Sequence, residues 1–260
     1  MAKKRALGPL SLLAIVREAR TGAGDPRPLA VAGARELVPL LARELREGGD
    51  PSAVVEGRVE GAAALVWIGE ADEAVLRKAA RAGIPIVAVS DEDELSYVLA
   101  RDVVHPKPGR GFPVEEIAVA VARKLGEKGT ALAARLPVLR EPLSEHLISS
   151  MALKNGLIGA AVFIPGVDMP LLTLNQARLV LRLAFAHGEQ IDRQRVPELL
   201  GVLGAGFGLR AAARELLNVV PYAGWAIKGG VAYTGTKAVG EAALRYFDAK
   251  ANGRSVRSGS

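Results

Sequence analysis

An α/β domain with a parallel, Rossmann-like sheet and flanking helices, followed by an all-α domain, is the fold that these 260 residues predict. Two observations carry that expectation. From Pro28 to about Leu125 short apolar runs alternate with helix-length amphipathic stretches, the pattern of βα units. From Leu136 onward the texture is helical and rich in Ala, Leu and Gly. Half of the residues are apolar, enough for two ordinary cores, and roughly 100–200 residues per domain favours two. The expected order is a basic tail and short helix over 1–27, an α/β domain over 28–130, a helical domain over 131–249 and a basic flexible tail over 250–260.

Each element has its own signal. Leu29 to Ala32 reads as the first strand and Arg35 to Arg46 as its helix. Ala53 to Val59 adds a strand, and Ala63 to Ile68 is a continuous apolar run of strand length. Asp72 to Ala82 is a helix that Gly83 ends in the left-handed conformation. Pro85 to Val89 reads as a buried strand, Asp91 to Leu99 as a short acidic helix and Asp102 to Val104 as the last strand. Pro108 to Gly111 is then a loop before the helix Val114 to Leu125. Right-handed crossovers place helices on both faces of such a sheet.

In the second half Ser144 to Ala161 has a helical pattern. Asp168 is placed to cap the next helix, with Pro170 in its first turn where no N–H is missed. That helix is expected to run to about His187 and stop at Gly188, where His187 serves the terminal carbonyls. Val196 to Leu217 and a last helix reaching Asp248 follow, the latter after a break over Val220 to Trp225.

Composition excludes several chemistries. There is no cysteine, which removes disulfides, thiol nucleophiles and thiolate zinc sites and fits a reducing, cytoplasmic setting. The net charge of +6 arises largely from Lys and Arg interleaved with Glu, as in Arg43 to Glu47, the pattern of a solvated helix face. Only Lys3 to Arg5 and the tail from Lys250 to Arg257 are cleanly basic, and aromatics make up 4%. Little is available to stack on bases, so nucleic acid is disfavoured, while basic ends suit an anionic membrane surface. No segment reaches the roughly 20 uninterrupted apolar residues of a bilayer span, which favours a packed helical bundle that lies against a membrane over one that crosses it.

The search for chemistry is mostly a record of near misses. At the first strand-to-helix turn a phosphate-binding loop needs glycines, a Lys and a Ser or Thr. Gly33 is followed instead by Ala34, Arg35, Glu36, Leu37, Val38, Pro39 and Leu40, with Glu36 where an anion would sit. Gly230 to Lys237 carries a Lys one residue late and lies in a helical pattern. His105, His146 and His187 lie in different elements and do not group as metal ligands. The acidic run Asp91 to Glu94 reads as the charge complement of a helix start. No catalytic or metal-binding residue and no cofactor is therefore assigned; Gly33, Gly69 and Ser90, at strand carboxyl ends, are the candidate positions for a non-standard ligand.

The order of parts in the first half resembles a P-loop GTPase domain that has lost its motifs. Val87 to Val89 would lead into the guanine-reading motif, but Ser90, Asp91, Glu92 and Asp93 retain only the final Asp. The second half carries Ile164-Pro165-Gly166-Val167-Asp168, Leu172-Thr173, Gln176 and Gly188, then Val220-Pro221, Gly224-Trp225, Thr236, Ala238-Val239-Gly240 and Tyr246-Phe247. In these residues it resembles a bacterial GTPase-associated domain of unknown function, the YcjF-type family. Pro165, Asp168, Thr173, Gln176, Pro221, Gly224, Trp225, Thr236 and Gly240 are its candidate interaction motif. The resemblance implies association with GTPase domains and with the cytoplasmic membrane, and no reaction. A non-catalytic scaffold is expected; the alternative is a nucleotide-dependent switch or enzyme acting at the strand ends.

Overall fold

The computed structural model describes residues 17, 24–107, 109–161, 168–189 and 224–258. The chain divides into two compact units, Gly22–His146 and a second whose described part is Arg17 and the described residues from Leu147 onward.

The first unit is an α/β fold. Five strands, β1 (Leu29–Gly33), β2 (Val54–Glu56), β3 (Ala64–Ile68), β4 (Ile86–Val89) and β5 (Val103–Val104), form a sheet in the order β2-β1-β3-β4-β5. All pairings are parallel, with Leu29 opposite both Val54 and Ala64, and Gly33 opposite Ile68. The chain changes direction across the sheet between β1 and β3, the switch point where open α/β sheets leave a crevice. The helices are α1 (Val38–Arg46), α2 (Glu73–Arg81), α3 (Val114–Leu125) and α4 (Thr130–Arg135).

Strand burial explains the apolar runs. Every residue of β3 is buried, as expected for a central strand covered on both faces. On one face Ala30, Ala32, Leu65, Trp67, Ile86 and Ala88 pack with Leu76 and Ala79 of α2 and with Leu95 and Val98. The side chains of α1 (Leu41, Leu45) and α3 (Ile117, Val121) are fully buried, and each such residue contributes about 1.5–3 kcal/mol. Trp67 satisfies its indole N–H by donating to the Glu70 carbonyl at 2.9 Å. Asp72 caps α2 by accepting from the amides of Ala74 and Val75, and Gly83 follows at φ +69°.

Two devices fasten the rest of this unit. Asp50 donates its amide to the Arg135 carbonyl at 2.9 Å, and the Arg135 guanidinium returns a bond to the Asp50 carboxylate at 3.0 Å. Asp102 is 1% exposed and lies 3.0 Å from Arg123 and 2.7 Å from Lys124, both in the last turn of α3. A carboxylate so buried requires its cations, which also face the negative end of that helix. Leu136, Leu139 and Leu143 are buried, and the compact unit extends beyond the texture change near residue 130 to His146.

Three sequence expectations need correction. Asp91 to Leu99 is not a helix: it forms turns in which Tyr97 takes φ +68°. Leu95 and Val98 reach the core from this loop, and a β-carbon in the left-handed region cannot continue a right-handed helix. The acidic run thus complements no helix start. Helix α1 begins at Val38 rather than Arg35, because Ala34 to Leu37 form the turn out of β1. The last helix does not stop near Asp248 but continues to Ser258, so most of the expected flexible tail is helical.

The second unit is helical. Its described helices are the part of α5 (Arg140–Ala161) from Leu147, α6 (Asp168–Ala186) and α7 (Gly224–Ser258). Helix α6 starts at Asp168 and ends as expected, with Gly188 at φ +73° donating to the Phe185 carbonyl. The expected helix Val196 to Leu217 lies outside the described residues, as do residues 162–167 before α6. No helix among the described residues is long and apolar enough to cross a membrane.

Candidate functional site

The strand carboxyl ends collect the three positions expected there. Gly33 closes β1, Gly69 follows β3 and Ser90 follows β4, so they stand at consecutive strand ends on either side of the switch point. Their geometry is closed. Gly33 has φ +124°, and a β-carbon there would lie 2.1 Å from the Ile68 carbonyl oxygen. Gly69 has φ +95° and is pressed toward Ala34, with 3.1 Å between a β-carbon placed on it and that of Ala34.

Three amides of the turn after β1 are engaged within the protein. Ala34 donates to the Ile68 carbonyl at 2.7 Å, and Leu37 and Val38 donate to the Ala34 carbonyl at 2.9 and 3.1 Å. Ser90 is buried, and its hydroxyl accepts from the Glu92 amide at 3.2 Å, so it caps its own turn. His105, after β5, sets Nδ1 3.0 Å from the Ser90 carbonyl and Nε2 3.5 Å from Asp93. Glu36, Glu70 and Asp91 to Glu94 are exposed at this end of the sheet, a rim whose sign opposes an anionic ligand. Among the described residues no group of three or more His, Asp or Glu could hold a metal ion.

In the helical unit the expected motif is partly assembled. Gln176 and Thr236 meet: the Gln176 amide donates to the Thr236 hydroxyl at 3.1 Å. Two residues that sequence reasoning missed complete the cluster. Asn155 donates to Thr236 at 2.9 Å and accepts from Asn175 at 2.8 Å. Exposure is 0% for Asn155 and Thr236, 2% for Asn175 and 7% for Gln176, so this is a polar cluster inside an apolar core. The available signal was the helical spacing, which puts Asn155 on the buried side with Met151, Ala152 and Ile148.

Gly240 packs on Ile148, where an added β-carbon would come within 2.5 Å of the Ile148 side chain. Thr173 lies on the exposed side of α6 and is not part of the cluster. Asp168 stands at the start of α6, and Gly224 and Trp225 at the start of α7. Pro165 and Pro221 lie outside the described residues. At the end of α6 His187 is buried, its Nδ1 donating to the Leu183 carbonyl at 2.8 Å, as its position by the terminal carbonyls suggested. Its Nε2 lies 3.1 Å from Asp248, and its ring stacks on Phe247.

No protein-family model, no curated protein and no solved structure matches the chain.

Proposed function

We propose that this chain is a non-catalytic interaction or scaffold protein whose α/β unit has the layout of a nucleotide-binding domain without its phosphate site. The observation that carries the reading is the closed turn after β1. A phosphate cradle requires backbone N–H groups aimed outward at a helix start, together with a cation. Here the amides of Ala34, Leu37 and Val38 bond to protein carbonyls, and Glu36 occupies the rim.

The partner in this reading is an intact GTPase domain, and the working place is the cytoplasmic face of the membrane. Both come from the resemblance of the second half to the GTPase-associated family. Calorimetric titration of the full chain with GTP, ATP and NAD tests the first part. No heat of binding at millimolar ligand is expected, and micromolar affinity for any of the three would overturn the scaffold reading. Fractionation of expressing cells tests the second: release from membranes by a high-salt wash is the expected result, and recovery wholly without membranes removes the membrane from the proposal.

A further inference from the structure

We infer that the buried cluster of Asn155, Asn175, Gln176 and Thr236 is a register lock that selects one axial position of α7 against α5 and α6. The seam between α5 and α7 is closely packed at its glycines. A β-carbon on Gly229 would lie 3.0 Å from the Gly156 carbonyl oxygen and 3.1 Å from the Ala160 β-carbon, and one on Gly240 would lie 2.5 Å from the Ile148 side chain. These close approaches already disfavour a register that brings a side chain into the place of Gly229 or Gly240, while hydrophobic burial around them is non-directional. Hydrogen bonds add a directional choice of register.

The Thr236 hydroxyl accepts from Asn155 on α5 and from Gln176 on α6, which uses both of its lone pairs. Asn175 ties α6 to α5 through Asn155. Sliding α7 by one turn, roughly 5.4 Å, brings Ala232 or Gly240 into the place of Thr236. Neither has a side-chain acceptor, so the amides of Asn155 and Gln176 would be stranded in a site from which water is excluded. Single buried polar residues fix register in coiled coils by the same logic. What the lock sets is the axial position of the outward residues of α7, among them Tyr233, Lys237 and Arg245, which are exposed.

The test is disulfide trapping in the full chain, which has no cysteine of its own. Ile148→Cys with Gly240→Cys reports the observed register, and Ile148→Cys with Leu244→Cys reports the register one turn away. Each pair is built into the native cluster and into an apolar one carrying Asn155→Leu, Asn175→Leu, Gln176→Met and Thr236→Val. With the native cluster only the first pair is expected to close. With the apolar cluster, which removes the penalty for stranded donors, the second pair is expected to close in at least ~10-fold higher yield than before. Three results overturn the inference: closure of the second pair with the native cluster, an apolar variant that folds and still closes only the first, and an apolar variant without helical circular dichroism. The last would make the cluster a requirement for folding rather than a choice of register.

Discussion

The side-chain amide of Asn155 donates to the hydroxyl of Thr236 across 2.9 Å, joining helices whose contact residues are 81 positions apart in the chain. Both residues are fully buried, so the bond has no water to replace it. Thr236→Val keeps the shape and removes the acceptor, leaving two amides unpaired. The expected loss is about 1–3 kcal/mol for the first stranded donor and more where both are held in place. Thr236→Ser restores the acceptor and should recover most of that loss. Urea midpoints of the three proteins check the order: serine close to the parent and valine well below.

Gly240 tests the seam. In an open helix Gly→Ala gains about 1 kcal/mol from propensity. Here the new β-carbon would meet Ile148 at 2.5 Å, so Gly240→Ala should instead lower stability, by about 1–3 kcal/mol of overpacking. Shortening the neighbour should relieve it. Gly240→Ala combined with Ile148→Ala is expected to fall less than the sum of the two single losses, and an additive double-mutant cycle would refute the contact.

Gly33 and Gly83 share positive φ but differ in surroundings. Gly83, at φ +69°, has nothing within 4 Å of an added β-carbon, so Gly83→Ala should cost about 1 kcal/mol of left-handed strain. Gly33, at φ +124°, would in addition drive a methyl into the Ile68 carbonyl, which is backbone of the central strand and cannot turn aside. Gly33→Ala should therefore lose several-fold more, and thermal melts of the two variants measure the gap. Equal shifts would mean that the strand ends are looser than this geometry.

Tyr97 is the non-glycine residue at positive φ among the described residues, and the residue is 51% exposed. With half of the ring in water, its packing offsets little of the backbone strain, about 1–2 kcal/mol. Tyr97→Gly should raise the melting temperature or leave it unchanged. A marked fall would show that the ring makes contacts worth more than the strain, and would direct attention to this loop as a built surface.

The sheet was legible because its signal is local: uninterrupted apolar runs such as Ala64 to Ile68 need no partner to be read. Gly83 and Gly188 were legible for the same reason, each ending a periodic pattern in the way that only an achiral residue does freely. The loop Asp91 to Leu99 was not, since its two core residues, Leu95 and Val98, stand three apart and imitate one helical turn. Only the sheet to which they reach decides otherwise. Gln176 and Thr236 stand among the residues expected to interact, but Asn155 and Asn175 read as ordinary polar residues in a helix. Their burial depends on which face meets which helix, and that is settled by tertiary packing across 60 to 81 residues of chain.

His146 gives the pH dependence a defined sign. Burial first, and the nearby Arg123 guanidinium second, hold its imidazole below the ordinary value of 6.5. The unfolded chain then binds this proton more readily than the folded one. Stability is accordingly full above pH 6.5, falls as pH drops through that value, and levels off below the depressed folded value. Asp25, held low by Arg27, and Asp50, held low by Ser52 and then by Arg135, act in the same sense at lower pH. Their contributions persist until the pH approaches the ordinary carboxylate value of 3.8. His146→Gln removes the titrating group while keeping a polar side chain of similar reach. Urea midpoints of parent and variant, measured from pH 8 down to pH 5, should run together at the alkaline end and diverge below pH 6.5, with the parent falling faster. Curves that stay parallel throughout would mean that His146 takes up its proton as easily in the folded protein as in the unfolded chain.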